Sequence, residues 1–124
     1  MKGIVMAGKA YKVLKEFWLT QDSGDYTRMK HLFAKDAVFV DPIYGTFNGR
    51  EEIGEFLLKM NSTVSAINGA FLLEKLSGDE NTAWAQWSFN SDHGYREGVG
   101  VYKVENSEIT YYRDYMNEPE ITKD

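Results

Sequence analysis

Ala10, Val13, Leu14, Phe17 and Trp18 recur at the i, i+3, i+4, i+7 and i+8 spacing that gathers apolar side chains on one helix face, and Ser23-Gly24 supplies its end. Asp25 is placed to cap a second, shorter helix running through Ala34, with Met29, Leu32 and Phe33 on one face. The pattern then changes period. Ala37 to Asp41 is β-branched and aromatic, and Pro42 to Gly49 is a turn-rich connection whose Ile43, Tyr44, Thr46 and Phe47 suit a short strand. Helical spacing returns over Arg50 to Met60 through Ile53, Phe56, Leu57 and Met60, with Glu51 and Glu52 in the first turn. Beyond Asn61 the alternation predicts only strands, over 71–77, 82–91, 95–104 and 108–117, each separated from the next by a short loop of turn formers. The polar tail from Glu118 is expected to fray. Helices early and an antiparallel meander late make an α+β fold, with helices on one face of a curved sheet.

Composition sharpens this reading. A chain of 124 residues is read as one domain, 1–124, able to bury roughly two-thirds of its unfolded surface. With 43% hydrophobic and 15% aromatic residues it has the material both for a core and for a cavity walled by rings. The net charge of −5 argues against nucleic acid and against a membrane surface, which call for concentrated Lys and Arg. No cysteine is present, so disulfides, thiolate catalysis and cysteine metal sites are excluded. The apolar stretch Ile4 to Ala7 is too short for a signal-peptide core, and no segment approaches the ~18 apolar residues of a membrane span, which leaves a cytoplasmic location as the expectation.

Two carboxylates are candidates for chemistry. Asp41 ends the run Ala37-Val38-Phe39-Val40-Asp41 and precedes Pro42, and alternation puts it on the face of Phe39. On an apolar wall such a group is a general base; in an Asp-Pro turn it is an acid bonded to its own backbone. Asp114 sits in an aromatic strand with Tyr112 and Met116 on its face, while Arg113 shares the other face with Tyr111 and Tyr115, and either charge can be the inward one. His31 and His93 lack metal-ligand spacing, so no metal is expected. Gly98-Val99-Gly100 reads as a place of bending or close approach in a strand rather than a nucleotide loop, and no Gly-x-Ser-x-Gly elbow exists.

Ser23-Gly24-Asp25, the stretch from Phe33 to Pro42 leading to Gly49-Arg50-Glu51-Glu52-Ile53, and Ile109 to Tyr115 as a last strand together resemble the nuclear transport factor 2-like superfamily, and within it the SnoaL-like and ketosteroid isomerase-like group. The resemblance covers about Ala10 to Asn117. It implies a cone of three helices packed on a strongly curved, mainly antiparallel sheet enclosing an apolar pocket, in a homodimer. Asp41 matches the general base of the ketosteroid isomerases, whereas Phe17 and Gly100 stand where those enzymes carry a tyrosine and an acid to hold an enolate. Asp114 matches an acid in the last strand of limonene-epoxide hydrolases, and Trp87 and Phe89 stand where those enzymes carry an Arg and a second Asp. The resemblance thus implies Asp41 and Asp114 as catalytic acids, with Phe17, Phe39, Trp87, Phe89, Gly100 and Tyr112 as ligand-facing positions. The expected function is isomerase, cyclase or hydrolase chemistry on a small hydrophobic molecule, without a cofactor; the alternative is a non-catalytic ligand-binding or dimerisation module of the same fold.

Overall fold

The structure, a computed structural model, describes residues 8–117. The tail from Glu118 and the apolar start through Ala7 lie outside them. Helix α1 (Lys9–Ser23) buries Ala10, Leu14, Phe17 and Trp18, the face expected from their spacing. Gly24 ends it in the left-handed conformation at φ 79°, where its N–H reaches the carbonyls of Thr20 and Gln21. Asp25 then caps α2 (Tyr26–Lys30), its Oδ1 accepting the Arg28 N–H at 3.1 Å.

Two boundaries differ from the periodicity. Helix α2 stops at Lys30 instead of reaching Ala34, and Phe33 already opens strand β1 (Phe33–Asp41). Phe33 pairs with Ile109 of the last strand and the Leu32 carbonyl accepts the Ile109 N–H at 2.8 Å, so sheet pairing buries Phe33 and Ala34 and overrides a short helical pattern. Helix α3 (Arg50–Ala66) runs on past Met60, so the stretch after Asn61 does not begin with strands. Asn61-Ser62-Thr63 is polar enough to read as a loop, yet Met60, Val64 and Ile67 continue a half-buried stripe at helical spacing.

Strand β2 (Gly45–Asn48) pairs antiparallel with β1, and β3 (Ala70–Gly78), β4 (Thr82–Ser91), β5 (Gly94–Glu105) and β6 (Glu108–Met116) follow as the expected meander. The sheet order is β2-β1-β6-β5-β4-β3, with β1 and β6 parallel and every other pair antiparallel. Irregular registers at Leu73/Lys75, at Lys103/Val104 and between Phe33 and Val38 bend the strands. The sheet curls around α1, which packs on β3 to β6, while α3 covers β1 and β2. Three helices against a curled, unclosed, mainly antiparallel sheet is the α+β cone. Among the described residues no helix is long and apolar enough to cross a membrane.

Candidate functional site: two carboxylates on adjacent strands

A cavity of about 310 Å³ lies between α1, α3 and the concave face of the sheet, walled by Phe17 and Trp18 of α1, Phe39 of β1 and Tyr112 of β6. A second lobe of about 210 Å³ opens beside it, reaching Ile43 and Tyr44 after β1, Ile67 after α3, and Phe89, His93 and Arg96 around the β4–β5 hairpin. Asp41, Asp114, Met60, Val64, Phe71 and Trp87 border both lobes, so the two carboxylates sit where the lobes meet. The inner lobe falls at the low end of the roughly 300–1,000 Å³ of small-molecule sites.

Asp41 makes the turn its sequence context allows and also borders the cavity. Its Oδ2 accepts the N–H groups of Ile43 and Tyr44, each at 2.9 Å, which is the local turn that Pro42 favours. The turn fixes the carboxylate at the end of β1, and among the described residues Oδ1 takes no hydrogen bond, which leaves it for the cavity.

Asp114 is the inward charge of its strand. Arg113 points the other way, its guanidinium 4.8 Å from the centre of the Tyr115 ring. The Trp87 Nε1–H donates to Asp114 Oδ1 at 3.2 Å across the intervening strand β5. That reach exists because β5 carries glycine there: a Cβ at Gly98 would collide with the Trp87 ring, and one at Gly100 with the Tyr102 hydroxyl and Asp114 Oδ1. Asp114 as a residue keeps some accessibility through the cavity, while its carboxyl is surrounded by protein. Loss of hydration pushes that carboxyl up to about 7; the Trp87 N–H opposes the shift and the negative charge of Asp41 adds to it. The two acids therefore sense each other.

The floor beneath them is aromatic. Tyr112 stacks on Phe39 with ring centres 4.3 Å apart and planes 9° from parallel, and Tyr102 lies against Tyr112 at 4.5 Å. Burial, with the nearby charge of Asp114, raises both phenols above their ordinary range and keeps them neutral. Among the described residues the Trp18 Nε1–H and the Tyr102 hydroxyl are buried without a hydrogen-bond partner.

Phe17, Phe39 and Tyr112 thus face the inner lobe, Phe89 the outer lobe, and Trp87 both. Gly100 lines neither lobe; it lies opposite Asp114 on β5, behind the wall. No cluster of three or more His, Cys, Asp or Glu among the described residues could hold a metal ion. Some cavity residues lie outside the sequence reading. Trp18 reads as the core face of α1, the lining residues Asn61, Thr63, Val64 and Ser65 fall past the expected helix end, and Arg96 carries a readable signal, since alternation places it on the face of Gly98, Gly100 and Tyr102.

Solved structures share this architecture. A nuclear transport factor 2-like protein of unknown function from Mesorhizobium loti superposes with a TM-score of 0.78 at 16% identity, covering 89% of this chain and 92% of that one. A provisionally assigned ketosteroid isomerase from Kribbella flavida gives 0.77 at 14% identity over 94% and 83% of the two chains. An LEH-like epoxide hydrolase of M. tuberculosis gives 0.70 at 15% identity over 88% and 83%. Identities this low carry the fold alone. No curated protein matches the sequence significantly. Residues 14–112 match the family model of the SnoaL-like domain, and with most of its length inside that match the chain belongs to the SnoaL-like family of the nuclear transport factor 2-like superfamily.

Proposed function

We propose that this protein is an acid/base enzyme, an isomerase, cyclase or hydrolase, acting on a small hydrophobic molecule seated between Asp41 and Asp114. One observation carries the reading: a carboxyl displaced to about 7 by burial borders the same two cavity lobes as a second carboxylate. A group poised near neutrality exchanges protons in both directions at little cost, which general acid/base catalysis requires. For a carbonyl substrate, Asp41 Oδ1 takes the proton from the carbon next to the carbonyl. The electron pair of that C–H bond forms the C=C bond of the enol, the carbonyl π pair moves to the oxygen, and the protonated Asp114 delivers its proton there. Delivery of the proton held by Asp41 to a different carbon of a conjugated enol, with the enol O–H proton returning to Asp114, completes an isomerisation; attack of the enol carbon on a second carbonyl of the same molecule, with the Asp41 proton passing to the new alkoxide and the enol O–H proton returning to Asp114, completes a cyclisation.

Exchange of α-protons tests the first half of this chemistry without knowledge of the natural substrate. In D₂O, followed by proton NMR, the protein is expected to accelerate loss of the α-proton signal of a hydrophobic ketone such as 2-tetralone. Asp41→Asn and Asp114→Asn are each expected to slow that exchange by about 100-fold. Native-like exchange in both variants sinks the proposal.

A second reading, binding without turnover, is favoured by Phe17, an apolar ring where the ketosteroid isomerases place a donor. Recovery of a bound ligand unaltered after prolonged incubation supports it. Either reading extends to a homodimer formed through the outer face of the sheet.

A further inference from the structure

The outer lobe holds a cation for which neither acid/base chemistry nor folding supplies a use. Arg96 lies near the start of β5, half-buried, paired across the strands with Phe89 and turned toward the lobe. The ion pairs among the described residues engage Lys9, Arg28, Lys30 and Arg50 with Glu80, Glu16, Glu51 and Glu108; none of the described carboxylates stands within ion-pair distance of Arg96. Its guanidinium takes part in no hydrogen bond to another described residue. The surroundings are apolar, with Ile43, Ile67, Phe89 and Met116 on the same lobe and His93 as a neighbouring polar group. A planar cation at a largely apolar wall, with no counter-ion among the described residues, favours an anion that brings its own apolar body.

We infer that Arg96 anchors the carboxylate of an amphipathic substrate, so that the ligand class of this cavity is a hydrophobic monocarboxylic acid whose ring or chain extends inward past Trp87 toward Asp41 and Asp114. The inference rests on the proposal that this cavity is the ligand site. Carboxylate is preferred over phosphate on two grounds. The guanidinium fork matches a carboxylate through two parallel hydrogen bonds, and the two aspartates bordering the same lobe repel a dianion more than a monoanion. Orientation follows as well: a ligand held by its acid end at the mouth presents its far end to the catalytic pair.

Isothermal titration calorimetry with 2-naphthoate and its neutral isostere 2-naphthamide reads this directly. The native protein is expected to bind the acid at least ten-fold more tightly than the amide. Arg96→Gln is expected to abolish the preference while leaving amide binding within about two-fold, and Arg96→Lys to retain part of it. Equal affinities in the native protein, a preference that survives in Arg96→Gln, or no binding of the acid at millimolar concentration each overturns the inference. Binding needs no proton transfer, so the two proposals fail separately. An Arg96-dependent preference with no α-proton exchange removes the enzyme reading alone, and exchange without the preference removes this one alone.

Discussion

Asp114 concentrates the consequences of burial in a single side chain. Its carboxyl titrates near 3.9 in an unfolded chain and at about 7 in the folded one, so between those values the folded state binds the additional proton. Stability therefore falls as pH rises from about 4 to about 7, and the loss is complete above that window. Asp114→Asn removes the ionisation while keeping an acceptor for Trp87. Its stability relative to the native protein is expected to increase with pH, reaching about 3–5 kcal/mol at pH 8 over the value at pH 4, as measured by urea unfolding at both. A difference that stays constant with pH refutes the assigned shift. Asp41 shows the limit of reading one residue from its neighbours. Asp-Pro announced a turn and the preceding alternation announced a wall, and one carboxylate satisfies both because its two oxygens divide the roles. Arg96 was legible by the same alternation, but an isolated charge at a strand start has no local partner to mark it as inward.

Strand β5 is the element on which the site depends without contributing a carboxylate. Its glycines let Trp87 of β4 and Asp114 of β6 meet across it, a contact that any side chain at Gly98 or Gly100 obstructs. Gly100→Ala is expected to cost about 1–3 kcal/mol through the collision with Tyr102 and Asp114, seen as a lowered midpoint in thermal unfolding monitored by circular dichroism. An unchanged midpoint shows that the Tyr102 ring yields freely. Elements were legible in the sequence where one period ran long, as in α1 and the four meander strands. They were misread where a few residues fit two periods. Leu32, Phe33 and Ala34 continue a helical face and also begin a strand, and only the distant Ile109 decides between them. The far end of α3 is hidden by its polar Asn61-Ser62-Thr63, of which Asn61 and Thr63 line the cavity lobes alongside Val64, so no apolar run marks that stretch as helix.

At the scale of the molecule, the outer face of the sheet exposes Leu72, Trp84, Val99 and Tyr115 on four neighbouring strands, at 60%, 39%, 38% and 50% of their surface. Exposed apolar side chains on one face of a sheet suit the proposed homodimer contact. Sedimentation equilibrium is expected to return twice the mass of one chain, and the double substitution Leu72→Glu, Tyr115→Glu the mass of one; a native monomer at high concentration removes the homodimer. The cone as a whole was legible because the order of helices and strands restricts topology severely, whereas the cavity inside it depends on how far the sheet curls, which register shifts set and no local pattern announces. The parallel pairing of β1 with β6 has one more effect. Asp41 and Asp114 stand on strands from opposite halves of the sequence, and β6 is inserted between β1 and β5, so the sheet is two separate pieces until it docks. A ribosome emitting this chain releases Asp41 well before Asp114 exists, and closure of that long loop is the slow, entropically opposed part of folding. Juxtaposition of the two carboxylates and completion of the native topology are then a single kinetic event.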